Sequence, residues 1–378
     1  MRTWETIALA AKSNGGLRGG LETMETESAL AEVHRAEGAV LGTYFGCTLP
    51  ARFSSVEAEY RAAHESAILA DTNFHAVFRF EGPDRARYLN AVLTSNVRDL
   101  TPGQGTVGLL LNAQGHILAE IETLCLADSI LAISHASVGA ATFAHLEKFI
   151  IMDDVTLTDL TASTGSLEMA GPRAAELLLA RTGVDLNAIA VHSHVESKLG
   201  AIPCRIVRLP WPGVNLFVAR EHLAEVWTVL REAVSAAGGR PIGWEAANVL
   251  RLEAGRPWFG VDYDEKQIPH EAGVEISHIS YTKGCYTGQE IVERVRSRGQ
   301  VNRRRVGLRF DGAAVPQAGE KLLADGAEVG NITSAAYSFA VGAPIGFGYL
   351  RREHNTPGRQ LQWSGGTAEV VDLPLAKK

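Results

Sequence analysis

Ala76-Val77-Phe78-Arg79-Phe80, continued by Glu81-Gly82-Pro83 and then by Tyr88, Leu89, Val92 and Leu93 at helical spacing, is the stretch on which the fold turns. The first five residues read as a strand, and Gly82-Pro83 predicts a helix start, because proline suits a first helical turn where its missing N–H is not needed. The same sequence of signals recurs at Ser166-Leu167-Glu168-Met169-Ala170, Gly171-Pro172 and Leu177-Leu178-Leu179. Two strand, Gly-Pro, helix units predict two related α+β subdomains. Between them lies a hairpin: a strand over Val107 to Leu111, a turn at Asn112-Ala113-Gln114-Gly115 and a strand from His116 to Leu126. Alternation puts Ile117, Ala119, Ile121 and Cys125 on one face, with Leu118, Glu120, Glu122 and Leu124 on the other. Cys125 is thus expected in the core. Glu120 and Glu122 are either solvated or aimed into a cleft.

Downstream, Leu223, Val226, Trp227, Leu230 and Val234 mark an amphipathic helix from about His222 to Ala237, stopped by Gly238-Gly239. A second helix, Glu245 to Glu253, halts at Gly255 and Pro257. From Val301 the pattern changes to short alternating strands between Gly and Pro: Val306-Phe310, Lys321-Leu323, Glu328-Thr333, Ile345-Leu350 and Ala368-Val371. Such regular short strands predict a small β-barrel or sandwich. The resulting division is a loose arm over residues 1–28, an α+β region over 29–298 and a β domain over 299–378.

A chain of 378 residues exceeds one ordinary core. With 46% hydrophobic and 21% charged residues it has globular composition, and no apolar run approaches the roughly 20 residues that span a bilayer. The N-terminus, interrupted by Glu5 and Lys12, makes a poor secretory signal. A soluble, cytoplasmic protein with no membrane partner is the expectation. The formal net charge of -7 argues against nucleic acid as a direct ligand. One local exception is the arginine cluster from Arg294 to Arg309, which either flanks a strand or meets an anion. Cys47, Cys125, Cys204 and Cys285 are too dispersed for a local CxxC motif, so no metal site is expected from them.

The most chemical segment is Lys283-Gly284-Cys285-Tyr286-Thr287-Gly288-Gln289-Glu290. Positive charge near a thiol favours the reactive thiolate, and here Lys283, Arg294, Arg296 and Arg298 surround Cys285 in sequence. Equally, Gly284 and Gly288 form a turn into a helix from Gln289 to Val295, with Cys285 a passive small residue.

Several stretches together resemble the folate-binding aminomethyltransferase superfamily, which includes the glycine-cleavage T-protein. They are Asp71-Thr72-Asn73-Phe74-His75 with Phe80 to Asp84 and Tyr88-Leu89-Asn90; Leu111 to Ile117; Leu250 to Pro257 with Gly260-Val261-Asp262; and Ile268 to Gly273. The resemblance runs from about Val33 to Leu373. It implies an α+β aminomethyltransferase folate-binding fold with a small C-terminal β-barrel. Within the superfamily, Tyr281 to Glu290 looks like the signature of YgfZ-type folate-binding proteins, which are implicated in iron–sulfur cluster assembly or maintenance for clients that include a tRNA-modifying enzyme.

The resemblance implies tetrahydrofolate or a derivative as cofactor, with Asn112, Glu120 and Arg251 near it. It implies Cys285 and Lys283 as functional residues, supported by Gly284, Tyr286, Gly288, Gln289 and Glu290, and iron–sulfur client or assembly proteins as partners. For Arg251 the alternative is a helix-surface pair with Glu245 or Glu253, and for Asn112 a turn role. Two departures stand out. The paired aspartates that T-proteins carry after the hairpin turn are Ala119-Glu120 here, and the acid-bearing segment that grips the pterin is Pro210-Trp211-Pro212-Gly213-Val214-Asn215. The expected activity is therefore an accessory one in cluster maintenance. The alternative is a tetrahydrofolate-dependent aminomethyltransferase or demethylase.

Overall fold

The structure, a computed structural model, describes residues 26–376. Most of the arm expected over 1–28 lies outside the described residues. Within the described part, Thr26–Glu27 pairs parallel with Cys47–Arg52, which pairs antiparallel with Val40–Tyr44, and the Ser28 hydroxyl donates to buried Asp71 over 2.6 Å.

The chain divides into two compact units. The first comprises residues up to Asn90, Asn96–Val107 and Ile121–Trp244. It holds a six-stranded sheet ordered His194–Leu199, Ile202–Arg208, Gly213–Ala219, Thr164–Ala170, Ile68–Asp71 and Arg240–Pro241. The Leu223–Ala236 helix buries Leu223, Val226, Trp227, Leu230 and Val234 against Leu167, Met169, Val214 and Leu216 of that sheet. That is the stripe its 3.6-residue spacing predicted. Ile130–His135, His75–Glu81 and Thr156–Asp159 continue a five-stranded sheet whose first two strands, Gly105–Leu111 and Ile117–Cys125, are the predicted hairpin. Ile117, Ala119 and Ile121 are fully buried and Cys125 is 8% exposed, as alternation requires.

Both Gly-Pro sequences precede their helices instead of opening them. The helices are Arg85–Val92 and Ala174–Thr182. Gly82 has φ +97°, and a side chain there would meet the Asp154 carbonyl at 2.2 Å. A left-handed residue crowded in this way ends the strand in a tight turn, so the helix can begin only after it.

The second unit comprises Ala91–Ser95, Gly108–Glu120 and Glu245–Lys378. Its C-terminal part is a closed, antiparallel barrel ordered Arg303–Phe310, Ala343–Arg351, Ala327–Ser338, Lys321–Ala324, Gln360–Trp363 and Gly366–Val371. Closure leaves no free edge. Val306, Leu308, Phe310, Leu322, Ile332, Leu350, Trp363 and Val370 fill the interior. The Gln360–Trp363 strand is an addition to the sequence reading. Residues of the opposite parity, Ile345 and Phe347, pack outward on Leu252 of the Trp244–Glu253 helix.

Candidate functional site

The turn of the hairpin is fixed by its own asparagine. Asn112 Oδ1 accepts from the amides of Gln114 and His116, each at 3.0 Å, the self-bonding that suits Asn to turns. The turn role weighed for Asn112 is one that its side-chain oxygen does fill. Gly288 comes down on this turn with φ +82°, and a side chain at Gly288 would meet the Asn112 carbonyl at 2.7 Å. Gly288 does require its freedom. Gly284 does not: its φ is ordinary and nothing lies near it.

The Ala91–Ser95 segment binds hairpin and motif together. The Thr94 amide donates to the Leu109 carbonyl over 3.0 Å and the Leu109 amide to Thr94 Oγ1 over 2.8 Å, while Thr94 Oγ1 donates to the His278 carbonyl over 2.6 Å. The Ser280 amide donates to the Thr94 carbonyl over 2.9 Å and that of Thr287 to Ala91 over 3.3 Å. Lys283 is 8% exposed. Its ammonium donates to the carbonyls of Leu93 and, over 2.8 Å, Ser95, and it lies 5.1 Å from the Tyr286 ring centre. Lys283, expected to face the thiol, is an internal pin that seats the motif. Arg294 and Arg296, also expected to surround the thiol, have local partners: Arg294 pairs with Glu290 at 2.9 Å, and Arg296 with Glu293 at 3.5 Å while stacking on Tyr281. Gln289 and Glu290 open the Gln289–Arg298 helix, which extends three residues past its predicted end.

Cys285 itself is exposed, whereas Cys47, Cys125 and Cys204 are buried. Burial pushes the thiols of Cys47 and Cys204 up to about 11, which keeps them protonated and unreactive at neutral pH. Among the described residues Cys285 is the cysteine that solvent or a partner can reach.

Glu120 stands on the outward face of the Ile117–Cys125 strand with its side chain 28% exposed. Its Oε2 receives the Tyr263 hydroxyl and lies 3.0 Å from His278 Nε2. His278 Nδ1 is in turn 2.7 Å from Ser277 Oγ. Burial, then the neighbouring carboxylate, drive the Tyr263 phenol well above its ordinary pKa, so it stays a donor to Glu120. Two donors on one carboxylate oxygen fix the side chain, and charge-assisted bonds of this kind are the strong ones. Sequence reasoning placed Glu120 near a cleft and missed both partners.

Arg251 does not have the helix-surface partners weighed for it. It is 2% exposed and pairs with Asp262 instead of Glu245 or Glu253, with its guanidinium 4.5 Å from the Trp258 ring centre and 5.3 Å from that of Phe347. Asp262 also accepts from Thr333 and Ser334 of the barrel and from the Trp258 amide. This ion pair joins helix to barrel inside the unit. Burial lowers the Arg251 pKa while Asp262 opposes it. In the arginine run, Arg303 and Arg304 pair with Glu271 and Glu275, and Arg305 is buried over Phe347.

In the first unit, Trp211 of the Pro210-Trp211-Pro212 turn donates from Nε1 to Glu168 Oε1 over 2.7 Å. Among the described residues no group of three or more His, Cys, Asp or Glu side chains is placed to hold a metal ion. No helix among them is long and apolar enough to cross a membrane.

Comparison with known proteins agrees with this architecture. Residues 30–279 match the GCVT N-terminal domain, and residues 303–377 match the glycine cleavage T-protein C-terminal barrel domain. An aminomethyltransferase of Saccharopolyspora erythraea is 28% identical over 361 residues, covering 93% of this chain and 98% of that protein. One from Streptomyces coelicolor is 29% identical over 364 residues, covering 93% and 97%. The crystal structure of glycine cleavage system aminomethyltransferase T from Bartonella henselae superposes with a TM-score of 0.84 at 23% identity, over 93% of this chain and 98% of that one. That likeness establishes the fold expected from the sequence.

Proposed function

We propose, for a chain that belongs to the glycine cleavage T-protein family, that it binds tetrahydrofolate or a derivative and acts on the one-carbon group carried there, as a folate-dependent aminomethyltransferase. The observation that carries this reading is the setting of Glu120. The position keeps one acid where the resemblance leads to two, and Tyr263 and His278 hold that acid in one orientation. A longer carboxylate that is clamped loses less to misplacement than a free one. The near full-length match to proteins named aminomethyltransferase supports the same reading.

The Glu120 carboxylate would take protons from the folate nitrogens as they bond to the methylene carbon and return them to the two leaving groups, the amine, which departs as ammonia, and the lipoyl sulfur, which departs as a thiol. His278 and Tyr263 would hold it in place while it does so. Titration with tetrahydrofolate, followed by an assay for methylene-tetrahydrofolate from an aminomethylated lipoyl carrier, tests the reading. Binding and turnover that both fall in Glu120→Gln support it. Absence of binding in the unaltered protein overturns it.

A second reading has its own observation. Cys285 is exposed on a loop seated by Lys283 and Gly288, which suits a thiol that meets a protein partner. This supports a role in iron–sulfur cluster assembly or maintenance, with a tRNA-modifying enzyme among the clients, in the manner of YgfZ-type proteins. One thiol cannot fill the four thiolate positions of a common cluster, so the cluster would belong to the client. Complementation of a deletion strain by Cys285→Ser separates the readings. Full rescue of cluster-dependent enzymes removes the second, and loss of rescue with folate binding intact supports it.

A further inference from the structure

Within the second unit, the 261–267 segment meets the Arg303–Phe310, Ala327–Ser338 and Ala343–Arg351 strands of the barrel around a cavity of about 260 Å³. This is just below the roughly 300 Å³ at which pockets for drug-sized molecules begin, so it suits a small occupant. Tyr349 lines the cavity and shares the outward parity of Ile345 and Phe347 on its strand. It is 3% exposed, and its hydroxyl meets no hydrogen-bond partner among the described residues. A buried polar group left unmet is costly and requires an explanation. Burial, opposed by Arg305, raises the pKa of the phenol, so it stands as a donor.

Around Tyr349 the acceptors are engaged and the donors are not. Asp262 accepts from Arg251, Thr333, Ser334 and the Trp258 amide, and Asp264 Oδ1 takes the Lys266 amide over 2.8 Å. By contrast, Asn331, opposite Tyr349 on the neighbouring strand, donates only a 3.4 Å bond to the Ile332 carbonyl. The exposed Lys266 ammonium lies 3.4 Å from Asp264 Oδ2, a loose surface pair worth little. Arg303 places its guanidinium 5.6 Å from the Tyr349 ring centre and bonds Glu271 and the Lys266 carbonyl through Nε and Nη2. Its Nη1 has no such partner among the described residues. Spare donors are met best by a group that only accepts, as carboxylate and phosphate oxygens do. We propose that this cavity binds a small organic anion, a carboxylate or a phosphate monoester, whose oxygens receive the Tyr349 hydroxyl and Arg303 Nη1, with Asn331 and Lys266 as further donors. This site is independent of the folate reading.

The test titrates the full chain, by ligand-observed NMR, with benzoate, phenyl phosphate and benzamide, which share a ring and differ in head group. One of the two anions should bind about tenfold more tightly than the neutral amide, the worth of a hydrogen bond to a charged group, and whichever binds better names the head group. Tyr349→Phe removes only the hydroxyl. It should weaken that anion several-fold while leaving Tm unchanged or higher, because the unmet group goes with it. Lys266→Met changes an exposed side chain and should weaken the anion while reducing its salt dependence. Binding of neither anion at concentrations that saturate a millimolar site overturns the inference, and the Tyr349 hydroxyl is then served by water. Equal binding of benzamide, or unchanged affinity in both variants, overturns it too. Saturating tetrahydrofolate should leave the anion's affinity as it was; competition between the two would put the anion in the folate site and overturn the inference without touching the folate reading.

Discussion

His278 Nε2 and the carboxylate of Glu120 lie 3.0 Å apart although 158 residues separate them in the chain. A hydrogen bond to a charged group contributes about 1.5–3 kcal/mol. His278→Ala should therefore weaken tetrahydrofolate by about tenfold or more, and Tyr263→Phe should do the same by removing the other donor. Calorimetric titration with a parallel Tm measurement checks this. Equal loss of stability with unchanged affinity would make both residues structural.

The two glycines of the motif should behave oppositely. Gly288→Ala puts a side chain into a left-handed residue and against the Asn112 carbonyl at 2.7 Å, which should cost about 1–3 kcal/mol. Gly284→Ala meets nothing and should stay within about 0.5 kcal/mol of wild type. Denaturant unfolding of both variants decides the matter. Alkylation of Cys285 should also change rate in the first and not in the second.

Lys283→Met should be among the most destabilising single changes in the second unit. It strands the buried carbonyls of Leu93 and Ser95, at about 1–3 kcal/mol for each unmet group. Were Lys283 instead an activator of the thiol, the variant would lose Cys285 reactivity and keep its stability. Urea midpoints and thiol alkylation rates together distinguish these outcomes.

Acid sensitivity should centre on His194. Burial first, then Arg205, pull its pKa down from 6.5 to about 4. Its ring lies between the Cys125 carbonyl at 3.0 Å and an Arg205 guanidinium N–H at 2.7 Å, and a neutral ring with the proton on Nε2 satisfies both. The unfolded chain binds the proton more readily than the folded one, so stability falls as pH drops from about 6.5 towards 4, by roughly 2–3 kcal/mol. His194→Gln keeps a donor and an acceptor without titrating, and should flatten that part of the Tm-against-pH curve.

Much of the fold was legible because local periodicity carried it. Ile117, Ala119 and Ile121 alternate into the core, and the Leu223–Ala236 stripe lies on its sheet as spaced. The Gln360–Trp363 strand alternates, with Leu361 and Trp363 inward, yet escaped because four residues are too short a run to stand out among polar turns. The Gly-Pro turns misled because Gly82 is governed by the distant Asp154 carbonyl. The site was harder still. Glu120 and Asn112 were visible as residue types, yet the partners that define Glu120 lie 143 and 158 residues away. Arg251 misled as to its partner, because nothing local announces a buried ion pair with Asp262. Lys283 misled in the same way, since its acceptors are backbone carbonyls, about which side-chain identity says nothing.

The second unit takes Ala91–Ser95 and Gly108–Glu120 from the early chain and adds them to everything after Trp244. A fragment that began at Glu245 would carry the whole cysteine motif, yet it would lack Leu93, Ser95, the Asn112 turn and Glu120. The motif is therefore not a transplantable cassette. Grafted onto another scaffold it would arrive without its seat, and during synthesis it can settle only once the ribosome has delivered residues nearly two hundred positions downstream of the carbonyls that receive Lys283.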